Sequence, residues 1–363
     1  MSKFIGIDLG TTFSAVATVG DTGAPEIVCD EDGKPITPSC VEINQDENSV
    51  LIGDEAKKGL DIDPNVIGRF KRYMGTDKVY TSGDRSYSPQ DLSTLVLKKM
   101  FSNANEQLGN IAEAVVTVPA NFSTEAREET EKAAKDAGIP IKHIINEPTA
   151  AALYYSQKGD LSDGTYAIFD LGGGTFDVSI IKMEDNSVDV LCSNGVSELG
   201  GDDFDKKLQN YVMDEYKKEE GKVLDKKEYT RNQCEEDKKS LSKRKSCLAS
   251  TRVTEVSLKR EDFEEMISEY IAQIKMLCES TVNEANLKIE DLSGVILAGG
   301  STRIPIIRDT VKEIFKSGWL THGKFTSLFE NELKKFTKAK YCTLVSSCTA
   351  ALHISCLALG IKK

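Results

Sequence analysis

The stretch Phe4-Ile5-Gly6-Ile7-Asp8-Leu9-Gly10-Thr11-Thr12-Phe13-Ser14 returns later as Tyr166-Ala167-Ile168-Phe169-Asp170-Leu171-Gly172-Gly173-Gly174-Thr175-Phe176-Asp177. Each copy reads as an apolar strand, an Asp-Leu-Gly turn, a loop of glycine and threonine, and a second strand. That is a β-hairpin. A second echo follows each copy. Val115-Val116-Thr117-Val118-Pro119 precedes a helix expected to begin near Ser123, and Val295-Ile296-Leu297-Ala298-Gly299-Gly300 precedes one expected near Thr302. Repeats of this kind are sought before any other fold signal. They predict two related α/β lobes, about 1–158 and 159–316, with a cleft between them.

The loops suggest what the cleft binds. Phosphate oxygens need several donors converging at short range, and glycine lets backbone N–H groups approach while hydroxyls add more. Gly10, Thr11 and Thr12 form one such loop, and Gly172, Gly173, Gly174 and Thr175 form the other. A single glycine-rich turn would read as an ordinary tight turn. Two copies, each preceded by an aspartate closing an apolar strand, read as a phosphate site. Asp8 and Asp170 would be costly at strand ends unless paired or facing a cation. Taken one at a time, each also reads as an Asx turn cap. Mg²⁺ suits a pair of carboxylates completed by water and phosphate. The chain has no Gly-x-x-x-x-Gly-Lys-Ser/Thr loop and no Gly-x-Gly-x-x-Gly opening a βα unit, which disfavours the P-loop and dinucleotide folds.

Bulk properties narrow the class. The 363 residues carry a net charge of −12, so no basic face for nucleic acid or a membrane surface is expected. No apolar run approaches the ~20 residues of a membrane span, and no secretory leader is read at the start. The 9 cysteines are scattered and lack a Cys-x-x-Cys pair, as expected for reduced thiols of a cytoplasmic protein. Two stretches between the echoes read as insertions. Residues 43–78 mix short strands and turns, whereas 202–259 reads as strongly helical and charged.

The two hairpin loops are similar to the phosphate motifs of the heat-shock-70 (DnaK-type) chaperones. Asn146-Glu147-Pro148-Thr149-Ala150-Ala151-Ala152 resembles their connecting motif. Gly200-Gly201-Asp202-Asp203-Phe204-Asp205 and Gly299-Gly300-Ser301-Thr302-Arg303-Ile304-Pro305 resemble two further signatures. The resemblance implies an α/β protein with the actin-like ATPase fold, in which two ribonuclease-H-like lobes enclose a nucleotide cleft. It implies ATP or ADP with Mg²⁺, and K⁺ as a further cation. By this resemblance Asp8 and Asp170 hold the metal through waters, and Gly10, Thr11, Thr12 and Gly172 to Gly174 cradle the phosphates. Lys71, within Phe70-Lys71-Arg72-Tyr73-Met74-Gly75, matches the catalytic lysine, and Glu147, Thr175 and Asp177 position the attacking water. Glu235, Lys238 and Ser242 would meet adenosine from one helix face, with Gly300, Ser301 and Arg303 closing the other side and Arg303 against the base. On the residues alone, Glu235 and Lys238 read as an i,i+3 surface ion pair. Pro119 and Arg127 match the place where the family couples nucleotide state to lobe movement. A J-domain co-chaperone and a nucleotide-exchange factor are the implied partners.

After Phe315 the pattern changes. Ser317-Gly318-Trp319-Leu320-Thr321 and Ser346-Ser347-Cys348-Thr349-Ala350-Ala351-Leu352-His353 resemble the beginning of DegT-type sugar aminotransferases. Phe325, Leu328, Phe329, Leu333 and Phe336 fall on a helical stripe, 341–345 reads as a strand, and 350–359 as a capped helix. The expectation is an α/β tail, 317–363, unrelated to lobe II and joined near Lys316. Lobe II would then be truncated and no peptide-binding region would follow within the chain. The aminotransferase lysine has no counterpart, so the leading expectation is an ATPase of the chaperone type. The rivals are a nucleotide-binding module with little turnover and an actin-like sugar kinase, for which no sugar-binding constellation is seen.

Overall fold

The computed structural model describes residues 3–21, 23–44, 49–158, 161–185, 187–251 and 253–315. The expectations for the tail, 317–363, lie outside the described residues.

Both hairpins form where the repeat places them. Lys3–Asp8 pairs antiparallel with Phe13–Val19, setting Asp8 opposite Ala15. Gly164–Leu171 pairs antiparallel with Phe176–Glu184, setting Asp170 opposite Asp177. The second turn is tighter because its strands stay paired up to Leu171 and Phe176. The strand of each later echo then adds alongside in parallel. Ile111–Val118 lies beside Lys3–Asp8 and puts Thr117 next to Asp8, while Gly294–Ala298 lies beside Gly164–Leu171 and puts Ala298 next to Asp170. The echo in sequence is therefore an echo in topology.

The first sheet runs in the order Ile141–Asn146, Ile111–Val118, Lys3–Asp8, Phe13–Val19, Pro25–Val28. The second runs Ser187–Val196, Phe176–Glu184, Gly164–Leu171, Gly294–Ala298. Strand alternation aims Ile5, Ile7, Val16, Ala114 and Val116 at one face of the first sheet. There they meet Leu92, Val96, Leu97 and Met100 of the helix Pro89–Leu108, and Ala133 and Ala134 of Thr124–Asp136. Pro89–Leu108 starts sharply: Ser88 and Asp91 form a reciprocal capping box, and Pro89 occupies the first turn, where a missing N–H costs nothing. In the second half Phe169, Phe176, Val178 and Ile180 pack under Phe204, Leu208 and Val212 of Gly201–Glu220. The helix Glu147–Gln157 connects the halves and places Ala152 against Ile168, Ile181 and Ile296 on the other face of the second sheet.

Two sequence expectations are corrected. Stretch 202–259 is not helical throughout. After Gly201–Glu220 and Arg231–Lys243 it ends in an antiparallel hairpin, Ser246–Ser250 with Glu255–Lys259. Charge on every face hid the alternation of buried Val256 and Leu258. The helix expected near Thr302 starts at Pro305, after a 3-10 turn at Gly300–Arg303, because proline cannot donate within a helix but suits its first position.

The Phe169 ring lies 4.8 Å from that of Phe176, and neither side chain has measurable exposure. Phe169→Ala should therefore destabilise the protein by about 3–5 kcal/mol, seen as a lower urea midpoint at unchanged slope. A midpoint equal to the parent's would contradict this packing.

Candidate functional site: a cleft between two facing loops

Each loop is fixed from behind. In the first, Gly10 N donates to Ser14 Oγ at 3.1 Å and Ser39 Oγ donates to Gly10 O at 2.7 Å, while the two buried hydroxyls sit 2.9 Å apart. In the second, Ser301 Oγ donates to Gly172 O at 2.7 Å, and Gly201 N and Asp202 N donate to Gly172 O and Gly173 O at 3.1 and 2.7 Å. The start of the helix Gly201–Glu220 is thus spent on holding the loop. The loops touch. A Cβ on Gly173 would fall on the Thr12 hydroxyl, and one on Gly174 would fall on the Thr11 methyl and come within 3.0 Å of Arg72 Nε. Thr12 Oγ1 and Arg72 Nε are buried here without a protein partner.

Beside the loops sits a cluster of charge. Lys71 lies on the 3-10 turn Phe70–Tyr73 and is buried. Its Nζ donates to Glu147 Oε1 at 2.7 Å and lies 5.7 Å from the centre of the Phe122 ring. Thr117 Oγ1 donates to Asp8 at 3.0 Å. Burial would discharge Lys71, but Glu147, Asp8 and Asp177 outweigh it and raise its pKa above the usual value. Glu147 is pushed up by burial, with Asp8 adding to the rise and Lys71 opposing it. Asp170 is pushed well up by burial and by repulsion from Glu147, Asp177 and Asp8. Burial, helped by Glu147, lifts Asp177 to about 7, even though Lys71, Thr175 and Asn121 all pull it down.

One ammonium therefore faces four carboxylates, Asp8, Glu147, Asp170 and Asp177. Such a set relaxes when a cation enters. No group of three or more His, Cys, Asp or Glu side chains among the described residues is arranged to cage a metal by itself. Mg²⁺ does not require one, because water and phosphate oxygens complete its shell. The donor set fits a hydrated Mg²⁺ next to a phosphate chain.

The residues expected to meet adenosine are placed less simply. Glu235 and Lys238 share the helix Arg231–Lys243 but do not pair with each other, which corrects the surface-pair reading. Glu235 accepts from Lys57 across the cleft at 2.6 Å and from Lys239 at 3.0 Å. Lys238 is buried and donates to Asp205 at 2.8 Å and Gly201 O at 2.9 Å, behind the second loop. Ser242 Oγ donates to the Lys238 carbonyl at 3.0 Å. Ser301 is buried on Gly172, while Gly300 and Arg303 are exposed. Arg127, expected near a coupling point with Pro119, donates to the carbonyls of Pro119, Ala120 and Phe122 at 3.2, 2.8 and 3.2 Å.

Sequence reading missed the ion pairs that bridge the halves. Besides Lys57–Glu235, Arg69 reaches Asp202 at 2.7 Å and Arg72 reaches Asp203 at 2.9 Å, while Asp61, 2.9 Å from Arg69, steadies it from within the first half. Arg69 takes a left-handed backbone, φ 60°, to do so. Partners 131 to 178 residues apart leave no local pattern to find. Lys57 with Glu235 and Arg69 with Asp202 line an open pocket shared with Thr11, Thr12 and Asp205.

Comparison with known families matches residues 305–363 to the DegT/DnrJ/EryC1/StrS aminotransferase family and residues 4–321 to the family described as Hsp70 protein. The two spans overlap at 305–321, around the expected junction. Both loops, Lys71 and all four carboxylates fall inside the longer span, and the chain belongs to the Hsp70 protein family, joined toward its end to an aminotransferase-family stretch.

Proposed function

We propose that this chain binds ATP with Mg²⁺ between two ribonuclease-H-like lobes of an actin-like fold, about 1–158 and 159–316, and hydrolyses it as the nucleotide-driven part of a chaperone. The observation that carries this reading is the contact of the two glycine-threonine loops directly beside the Lys71–Glu147 pair. Gly10, Thr11, Thr12 and Gly172 to Gly174 offer backbone and hydroxyl donors to the β- and γ-phosphates. Lys71, held charged, sits where negative charge builds on the transferring phosphoryl group. Glu147, Thr175 and Asp177 orient the attacking water. Bound Mg²⁺ neutralises phosphate charge from a shell anchored by Asp8 and Asp170. K⁺ is a further cation this site would accept. Glu235, Lys238, Ser242, Gly300, Ser301 and Arg303 surround the nucleoside, after Lys57 yields Glu235. J-domain and nucleotide-exchange partners follow from family membership. No helix among the described residues is long and apolar enough to cross a membrane.

A second reading, a nucleotide-binding module with little turnover, draws on the change of family pattern at 305–321, inside the second half.

Phosphate release separates the two. Lys71→Met should lower kcat by about 10²–10³-fold while ADP affinity stays within about threefold. Equal release by parent and variant would leave only the binding module. Lys57→Ala should tighten the binding of a fluorescent ADP by roughly threefold in an equilibrium titration, because Glu235 no longer has to leave a part-buried bridge to meet the nucleoside. The cation demand has its own signature in EDTA. Asp177 has a folded pKa near 7 against an ordinary 3.8, so the native state loses stability as pH rises through that window. Asp177→Asn should then melt above the parent at pH ~8 and level with it at pH ~3, where both states of the parent are protonated. An equal gap at both pH values would refute the assignment.

A further inference from the structure

Asn121 lies on the loop between the strand Ile111–Val118 and the helix Thr124–Asp136, in the first half of the chain. Its target, Asp177, lies in the second half on Phe176–Glu184. The approach of the Asn121 amide to the Asp177 carboxylate, both against the bare Cα of Gly195, therefore crosses the cleft. Three features show that it is built rather than incidental. Arg127 clamps the carbonyls of Pro119, Ala120 and Phe122, on both sides of Asn121 in sequence. Thr175, like Asn121, holds down the pKa of the Asp177 carboxyl, so polar groups from both halves act on one carboxylate. Gly195 is the cross-strand partner of Asp177, and a Cβ there would fall on both Asp177 Oδ1 and Asn121 Nδ2. Gly195 does not have the positive φ that would itself demand glycine. The missing side chain serves the meeting of Asn121 with Asp177.

We propose that Asn121 is a positioning residue for ATP hydrolysis, holding Asp177 in the orientation that receives a proton from the attacking water. This rests on the ATPase reading above. In that step the water oxygen bonds to the γ-phosphorus, and the bond from phosphorus to the β,γ-bridging oxygen breaks. The electron pair leaves with ADP, and the water's proton passes to the Asp177 carboxylate. Asn121 takes no proton. Its amide lies toward Oδ1, the oxygen that shares the space beside Gly195. Because the donor comes from the opposite half, the alignment exists only when the halves stand as they do here.

The test measures single-turnover phosphate release and ATP and ADP dissociation constants on the full chain with Mg²⁺, for Asn121→Ala, Asn121→Ser and Gly195→Ala. Removing the donor, or inserting a methyl where the two groups meet, should each lower the rate by about 10–100-fold with both dissociation constants within about twofold. Serine keeps a donor and should recover part of the loss. An Asn121→Ala rate within about twofold of the parent overturns the proposal. So does a rate loss matched by an equal loss of affinity, or a serine variant no better than alanine. If Asn121→Ala does not fold, Gly195→Ala, made from the opposite strand, decides alone. A parent with no turnover above that of Lys71→Met overturns the ATPase reading and this inference together. A parent that turns over beside an equally active Asn121→Ala overturns this inference alone.

Discussion

The contact between the two glycine-threonine loops is the constraint on which the rest depends. Neither Gly173 nor Gly174 could carry a side chain without striking Thr12 or Thr11. That closeness sets where the two sheets stand, because each loop grows straight out of a central hairpin. It also explains the machinery behind the loops. Ser14 and Ser39 hold one, and Ser301 with the first N–H groups of Gly201–Glu220 holds the other. A donor cradle is useful only if it is rigid before the ligand arrives, since reorganisation would consume the interaction it offers. The lysine behind the second loop belongs to the same frame. Lys238 ties Asp205 and Gly201 together beneath the loop, and Gly201 has no Cβ because Ser301 and Lys238 occupy that space.

Charge is arranged in two tiers around this frame. Nearest the loops, four carboxylates outnumber one lysine, and burial raises the pKa of Asp170, Asp177 and Glu147. The arrangement is unfavourable when empty and relaxes with a cation, so on the proposed reading the cost of its absence would favour a metal-bound phosphate chain. Farther out, Lys57, Arg69 and Arg72 pair with carboxylates of the opposite half. These pairs are part-buried and hydrogen-bonded, so each contributes more than an exposed surface pair, yet each can exchange for water when the halves separate. Glu235 stands in both tiers. It completes a bridge to Lys57 and is also expected to meet the nucleoside, so ligand binding and bridge formation draw on one carboxylate.

What could be read from the sequence follows from this division. The hairpins, their parallel neighbours and the loop residues were legible because a duplicated local pattern leaves a duplicated signal. The position of Lys71 was legible only through resemblance, since a lysine on a 3-10 turn has no signature of its own. Glu235 and Lys238 read as partners on the residues alone because i,i+3 spacing is a statement about one helix, and the partners the fold gives them, Lys57 and Asp205, lie on other elements. The hairpin at Ser246–Ser250 and Glu255–Lys259 was hidden by charge, as only alternate residues of its second strand are buried. Asn121 carried no signal. Its meaning depends on Gly195, 74 positions away and silent in sequence because what matters there is a missing atom.

That last point bears on how the two halves cooperate. Asp177 meets Thr175 from its own loop and, at Gly195, Asn121 from the other half. The loop carrying Asn121 is clamped by Arg127, which in turn is anchored in the helix Thr124–Asp136 on the outer face of the first sheet. A chain of contacts therefore runs from that helix to the Asp177 carboxylate beside the second loop. Movement of that helix relative to the second sheet would separate Asn121 from Asp177 before disturbing the loops, which are held independently by Ser39 and Ser301. On the proposed reading, binding and chemistry would then be regulated apart: nucleotide would stay in the cradle while the posture of the halves made or withdrew the alignment for hydrolysis.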